Sequence, residues 1–311
     1  IMLYNLAETL GFSGEYRKAI DYFGRALELD PEFESAHINL GMMLMLTGRP
    51  DEALAHFREA VRLNPDSVEA YVNLGNVHKN QGNLEAAVNQ YHAALRAEPD
   101  STPAHFNLAT TLMSLHRFDE AIDHYRRVLE ANPDLFDAHR NIGLALAALG
   151  RIDEAISPHR RALELRPGVA EAHYELARVL AVTGTTNEAL THFLEAGRLK
   201  PAWPPALHGA ARILATHPDP STRDPSRALE LAGRAAKLTR RQDPLILDPL
   251  AAAYAAAGRF KQASETAEAA LALATTAGAE ALADTIRKRL ERYRRTTADS
   301  QFSPGPRPHQ P

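Results

Sequence analysis

The chain of 311 residues contains no cysteine, which excludes disulfides, thiolate metal sites and cysteine nucleophiles together. It also lacks a long apolar run. The longest candidate, near Ile142–Leu149, covers about half of the roughly 18–20 residues that a membrane span needs. The formal net charge of −4 is too small for a strong general attraction to nucleic acid or to an anionic membrane. We therefore expect no nucleic-acid partner and no membrane span in this chain.

Sequence motifs of catalysis are missing as well. No phosphate-binding GxxxxGK[ST] or GxGxxG segment, no GxSxG nucleophile turn and no HExxH metal motif occurs. Serines and carboxylates are scattered without a recognisable constellation. We therefore expect no enzyme and no cofactor in these 311 residues.

The first residue is isoleucine, and the chain opens inside a helix-like repeat without a visible signal peptide. We expect that the natural N-terminus is missing and that an upstream membrane or targeting segment is hidden. Localisation is then left open between a cytoplasmic and a periplasmic module, free or tethered to a membrane.

A period of 34 residues organises the chain. A leucine or isoleucine, a small residue directly after it, a turn glycine and an aromatic residue all keep this spacing, as Leu40, Gly41, Gly48 and Phe57 do. His116 stands where the other repeats have the turn glycine. Prolines hold the register without a slip at Pro31, Pro65, Pro99, Pro133, Pro167 and Pro201.

Each column has a physical meaning. The turn glycine accepts a left-handed backbone and ends a first helix, and the proline cannot continue a second helix. Between them lie two amphipathic helices of about 13 residues with apolar positions at three-and-four spacing. Small residues after the leucine allow two helices to approach closely. One such hairpin cannot bury its own apolar faces, so neighbouring hairpins must stack.

The period and its columns resemble the tetratricopeptide repeat (TPR) family. The resemblance implies an all-α fold, a right-handed superhelical solenoid of helix-turn-helix repeats. Six regular repeats are predicted over 1–203, with bounds 1–33, 34–67, 68–101, 102–135, 136–169 and 170–203. The remainder divides into two irregular repeats over 204–276, the first with an insertion near 217–223, a capping helix over 277–295 and a disordered tail over 296–311.

Three prolines give local predictions. Pro225 reads as the first residue of a helix that Asp224 caps. Pro158 lies inside a predicted second helix and should bend it, because proline removes a hydrogen-bond donor. Pro249 occupies, in the eighth repeat, the position at which Asn39 and its equivalents stand in earlier repeats. That helix therefore either starts at Asp248 as a cap or is kinked.

Asparagine recurs with the same spacing inside an apolar helix pattern, at Asn5, Asn39, Asn73, Asn107 and Asn141. The TPR resemblance places first helices on the concave inner surface, where an amide offers the donors and acceptor that match an extended peptide backbone. This column resembles the asparagine ladder of O-linked N-acetylglucosamine transferase. The alternative is a structural residue that repeat duplication has copied. Glu175 and Gly209 replace the amide in the sixth and seventh repeats, so the ladder would stop there.

Residues one turn away from the asparagines would tune ligand selectivity. They are mixed in character: Met42, Asn76, Lys79, Met113, Arg140, Tyr174 and Arg178. The lysine–asparagine–lysine–arginine set that clamps a C-terminal carboxylate in chaperone-binding TPR domains is not found among them. That class of partner is not expected.

Histidines form two columns, His37, His105, His139 and His173 in one and His56, His124 and His192 in the other. Members of one column are a stacked helix pair apart, too far to share a metal ion at about 2 Å. We therefore predict core packing and no metal. The basic stretch 286–295 could contact anionic lipid or nucleic acid, or it forms a solvated final helix whose cations suit the helix dipole; the second interpretation is preferred.

These observations predict a non-catalytic scaffold that binds an extended polypeptide in the groove of a TPR superhelix. A second hypothesis comes from residues 205–295, which resemble the C-terminal ends of bacterial multi-spanning membrane glycosyltransferases with TPR arms. In that case this chain is the soluble arm and the catalytic part lies outside it. A free-standing assembly or regulatory scaffold is the third possibility.

Overall fold

The fold was obtained as a computed structural model that describes residues 1–302, with side chains through Thr296. Seventeen α-helices account for this part of the chain, most of them in helix-turn-helix pairs, and the protein is an all-α TPR solenoid. It divides into two compact units, Ile1–Arg151 and a second one that begins at Ile152. The boundary falls inside the predicted fifth repeat. No helix within residues 1–302 is both long and apolar enough to cross a membrane.

The first unit consists of nine helices, each packed on the next along the chain. The helices are α1 Met2–Phe12, α2 Tyr16–Leu29, α3 Glu34–Leu46, α4 Pro50–Leu63, α5 Val68–Asn80, α6 Leu84–Ala97, α7 Thr102–Ser114, α8 Phe118–Ala131 and α9 Phe136–Ala148. First helices from α3 onward start 34 residues apart, as the sequence period requires.

Close approach of the two helices of a hairpin depends on the small residue after the leucine. A Cβ atom added to Gly41 would lie 2.5 Å from the ring of Phe57, and one added to Gly75 would overlap the ring of Tyr91. Both rings are fully buried. The aromatic column therefore fills the space that the missing Cβ atoms leave, which confirms the predicted role of the small residues.

Turns between the helices of a hairpin use a left-handed residue. Gly48 has φ of 76° at the end of α3, and His116 takes the same conformation with φ of 58° at the end of α7. A non-glycine residue adopts this conformation at a cost of roughly 1 kcal/mol. The histidine thus completes the same turn that glycine makes elsewhere.

The second unit contains the remaining helices, α10 Ile152–Leu165, α11 Ala170–Val182, α12 Thr186–Leu199, α13 Pro204–Thr216, α14 Pro225–Leu238, α15 Pro244–Ala256, α16 Phe260–Thr276 and α17 Glu280–Phe302. The connection between α13 and α14, residues 217–224, is longer than the three-residue turns within the other hairpins. Asp224 caps α14 as predicted, because its carboxylate accepts a hydrogen bond from the backbone N–H of Arg227 at 2.9 Å. Helix α10 continues through Pro158, and its bend stays a prediction.

Helix α15 starts at Pro244 after the cap Asp243 and continues through Pro249, so the alternative that it starts at Asp248 is wrong, and the kink at Pro249 stays a prediction. Asp243 accepts a bond from the backbone N–H of Leu245 at 2.9 Å, so the cap lies five residues before Asp248. The predicted end of the last helix is also wrong. Helix α17 runs to Phe302 instead of ending near 295, since no proline or glycine interrupts it before Pro304. The rest of the predicted disordered tail, 303–311, lies outside the described residues.

Helix α17 covers the apolar end of the second unit. Ile286, Leu290 and Tyr293 are buried. Arg289 forms an ion pair with Asp248, which is buried in α15. The predicted match between the basic stretch and the helix C-terminus is therefore wrong: the last turn of α17 carries no basic residue, and this arginine anchors the helix instead.

Candidate functional site

Four of the predicted asparagines occupy equivalent positions. Asn39, Asn73, Asn107 and Asn141 are each the sixth residue of a first helix (α3, α5, α7 and α9), and each is half-buried. A buried leucine or isoleucine follows each of them directly, which turns the amide to the edge of the apolar stripe. Asn5 on α1 is exposed. All five belong to the first unit.

Asn39 is part of a closed hydrogen-bond network. Its Nδ2 donates to the hydroxyl of Tyr4 at 2.8 Å and to Oε1 of Glu8 at 3.3 Å. The Tyr4 hydroxyl itself donates to Glu8 at 2.8 Å. Burial and the bond to Glu8 raise the pKa of Tyr4 to about 12, so the hydroxyl stays neutral. The network borders a cavity of 350 Å³ that Phe12 and Met42 also line.

Asn141 and Asn76 each form a hydrogen bond with a buried tyrosine. Asn141 donates from Nδ2 to the hydroxyl of Tyr125 at 2.8 Å, and Oδ1 of Asn76 accepts from the hydroxyl of Tyr91 at 2.8 Å. Burial raises the pKa of both tyrosines, because it disfavours the charged phenolate. The sequence held a signal for these bonds: tyrosine replaces the phenylalanine of the aromatic column, and a buried hydroxyl needs a partner.

Asn73 and Asn107 differ from the other two half-buried asparagines. Within residues 1–302 their side-chain amides make no hydrogen bond, and only the backbone carbonyl of Asn107 is engaged, by Thr110 and Thr111. They lie on neighbouring first helices, α5 and α7, which contact each other directly. Of the five amides in the sequence column, Asn73 and Asn107 are open and lie between the bonded amides of Asn39 and Asn141, and the fifth, Asn5, is exposed.

The other predicted contacts in the first unit are diverse. Lys79 is half-buried, and desolvation lowers the pKa of its ammonium group. No carboxylate pairs with it in the described part of the chain. Met113 is half-buried and Met42 is 37% exposed. Arg140, also half-buried, is held by contacts within the protein.

Tyr174 and Arg178 belong to the second unit. Tyr174 packs against Trp203 with ring centroids 4.8 Å apart, and the guanidinium of exposed Arg178 lies 5.9 Å from the Tyr174 centroid. The amide column already ends at Glu175 of α11. A Cβ atom at Gly209, the equivalent position of α13, would lie 2.5 Å from the Phe193 ring, so an asparagine there would require that ring to move.

Histidines of the first column are only partly core residues. His37 and His105 are buried, whereas His139 and His173 are half-buried. Each of the four has Nε2 within 3.0 Å of the carbonyl oxygen of a repeat proline, such as Pro31 for His37. The two columns also contact each other within a hairpin, which the spacing of 34 residues concealed. No group of three metal-binding side chains occurs among the described residues.

Comparisons with known proteins define the family. A tetratricopeptide repeat model matches residues 4–68, 72–134, 106–168 and 159–204, and a second tetratricopeptide repeat model matches 246–269. The chain therefore belongs to the tetratricopeptide repeat family. No protein with a curated description matches it.

Solved structures resemble this fold. A crystal structure of YrrB, described as a TPR protein with an unusual peptide-binding site, is 28% identical over 60% of this chain and 96% of that chain, with a TM-score of 0.55. MamA AMB-1 is 27% identical over 55% and 94% of the two chains, with a TM-score of 0.50. MamA from Desulfovibrio magneticus RS-1, at 21% identity over 54% and 96% and a TM-score of 0.52, shares the fold alone.

Proposed function

We propose that the protein is a non-catalytic scaffold that binds an extended polypeptide through the amides of Asn73 and Asn107. The observation that carries this proposal is that both amides are half-buried at equivalent positions and have no internal partner within residues 1–302. A primary amide presents donors and an acceptor that match the C=O and N–H of an extended main chain. Such a pair would hold a peptide backbone without reading its side chains.

Neighbouring groups support the same surface. Asn76 is fixed by Tyr91 through its oxygen, which leaves its N–H groups available. Lys79, one turn further along α5, is a partly desolvated cation without a carboxylate partner in the described chain. Both favour a ligand that brings acceptor oxygens. A solved neighbour described as having a peptide-binding site supports the class of ligand, and TPR proteins bind proteins or peptides.

Other predicted contacts remain secondary candidates. Asn39 and Asn141 each have an internal bond, so a ligand would have to share or displace it. Met42 and Met113 offer adaptable apolar contact. Arg140, Tyr174, Arg178 and exposed Asn5 complete the predicted set, and their part in binding is a proposal without a specific contact behind it.

The test first selects peptides that bind wild-type protein from a displayed library of unstructured peptides. The Kd of a selected peptide is then measured for wild-type protein, for Asn73→Ala/Asn107→Ala and for Asn39→Ala/Asn141→Ala. Two amides at about 0.5–1.5 kcal/mol each correspond to roughly 5- to 150-fold weaker binding in the first variant. The second variant should lose stability more than affinity. Equal affinity of wild-type and Asn73→Ala/Asn107→Ala protein would remove the amides from the mechanism.

A second candidate function treats this chain as one part of a longer protein. We propose it as the C-terminal arm of a membrane glycosyltransferase, on the resemblance of residues 205–295 with their long α13–α14 connection and the proline inside α15. The test is the gene sequence upstream of Ile1. Several apolar runs of about 20 residues joined by short loops would support an arm. A start codon within one or two repeats would reject it.

A further inference from the structure

Histidines meet in pairs in three hairpins. Nδ1 of His37 lies 3.0 Å from Nδ1 of His56, and the pairs His105–His124 and His173–His192 repeat this contact at 2.8 and 2.9 Å. In each pair Nε2 of the first histidine also lies 2.9–3.0 Å from the carbonyl oxygen of the proline six residues earlier. Each pair therefore joins a first helix, a second helix and the turn before them.

The hydrogen-bond partners determine which ring nitrogen of each neutral histidine carries the proton. A carbonyl oxygen only accepts, so Nε2 of His37, His105 and His173 must carry the proton. In the neutral ring their Nδ1 is then an acceptor. The facing Nδ1 of His56, His124 and His192 must be the donor, which leaves Nε2 of these rings as the free base.

The same geometry is unsuited to a metal ion. The ring centroids of a pair are 5.0–5.2 Å apart. This distance is close to the Nδ1–Nδ1 separation plus the distance from each ring centre to its own nitrogen, so the two Nδ1 atoms point directly at each other. An ion between collinear nitrogens needs about 2 Å on each side, which is roughly 4 Å between nitrogens. The observed separations fit a shared proton instead.

Charged neighbours differ between the pairs. Glu52 and Glu59 face His37–His56, whereas Glu188, Glu195 and the cation Arg160 of α10 face His173–His192. Burial, followed by the facing histidine, lowers the pKa of His56 and His192.

In the middle pair, His124 has an additional histidine neighbour. Glu120 and Asp123 face His105–His124, but His92 of α6 also approaches, with its ring centroid 6.2 Å from that of His124. Burial and the two neighbouring histidines lower the pKa of His124 to about 4. Of the three second-column histidines, His124 should therefore take up its proton last.

We propose that the three histidine pairs are proton-binding latches that hold each hairpin closed when neutral or singly protonated and release it when doubly protonated. The first proton enters at the free Nε2 of the second histidine, and the Nδ1–H···Nδ1 bond survives because its donor is unchanged. The second proton must enter at Nδ1 of the first histidine. It places two N–H groups and two positive charges against each other, and the contact is lost.

The first test is the tautomer state of wild-type protein labelled with ¹⁵N-histidine, by two-bond ¹H–¹⁵N correlation at about pH 7.5. His37, His105 and His173 should show Nε2–H rings, and His56, His124 and His192 should show Nδ1–H rings. His139, which has the proline contact without a histidine partner at the same spacing, is the internal reference and should be Nε2–H. Nε2–H rings at His56, His124 and His192 would overturn the proposal.

The second test uses the protein's own third repeat as a template. Tyr71 and Gln90 stand there at the positions of the two histidines. His37→Tyr/His56→Gln, applied together with the equivalent changes in the other two pairs, removes the latches with natural residues. Burial lowers the pKa of these histidines, so wild-type Tm should fall as pH drops from about 6.5, the ordinary histidine pKa, to about 4, the pKa of His124. The variant should lose less Tm over the same interval. Parallel Tm curves, or a larger fall in the variant, would contradict the latch.

Discussion

The bond between Tyr125 and Asn141 should be strongly asymmetric in energy. Tyr125 is fully buried, while Asn141 is half-buried and can reach water. Asn141→Ala leaves a buried hydroxyl without its partner, at a cost of about 1–3 kcal/mol. Alanine returns about 0.5 kcal/mol through helix propensity. The net loss of unfolding free energy should be about 0.5–2.5 kcal/mol.

Removing the hydroxyl itself should be cheaper. Tyr125→Phe leaves a ring that the same column already uses at Phe23 and Phe57, and the freed amide finds water. In the double variant Tyr125→Phe/Asn141→Ala no buried group is left unpaired, so its loss should be close to that of Tyr125→Phe alone. Asn107→Ala, which breaks no internal side-chain bond, is the matched control and should stay within about 0.5 kcal/mol of wild type.

Urea titrations followed by far-ultraviolet circular dichroism measure these differences, with an unchanged m value as the condition for comparing midpoints. The double-variant cycle then isolates the coupling between the two side chains. The reasoning is refuted if Asn141→Ala is no more destabilising than Asn107→Ala, or if the two single losses simply add.

Three further outcomes follow from the packing and ionisation described above. Gly75→Ala should destabilise the protein by about 1–3 kcal/mol through overlap with the Tyr91 ring. Gly24→Ala, whose new Cβ meets nothing within 4 Å, should stabilise it by about 0.5–1 kcal/mol. Thermal melts of the two variants measure both changes. Arg289→Met leaves the buried Asp248 carboxylate without its ion-pair partner and should lower the unfolding free energy by about 3–5 kcal/mol. Faster amide hydrogen exchange in α17 would report this loss. Because burial raises the pKa of Tyr91, its folded form keeps the proton longer than the unfolded chain. Stability is then complete below the unfolded pKa of about 10 and falls as pH rises past it, and Tyr91→Phe should flatten that slope in alkaline melts.

Periodicity predicted the helices well because each column reports one local requirement. The turn glycines, the prolines and the small residue before the aromatic ring act within one hairpin, and Gly41 against Phe57 is an example. Helix ends that depend on competing signals were harder. Asp243 and Asp248 both suit a cap, and only the structure shows that Asp248 is instead buried against Arg289.

The candidate site was less predictable, because the sequence shows that an asparagine recurs and not which partner each one has. Asn141 is bonded by a tyrosine of the preceding hairpin, and Asn39 by two residues of α1. Those partners vary between repeats, so identical residues of one column have different chemistry. The sequence period did not predict the histidine pairs for a related reason. Each pair joins positions 19 residues apart, a spacing that the 34-residue period does not contain.

The histidine pairs also bear on how the array was built. They recur every 68 residues, and the repeats between them hold Tyr71 with Gln90 and His139 with Pro158 at the same positions. Tandem duplication of a two-hairpin block would leave such a double period. A chain shortened by one block would keep the alternation of hairpin types, whereas loss of one hairpin would place two of the same type in succession.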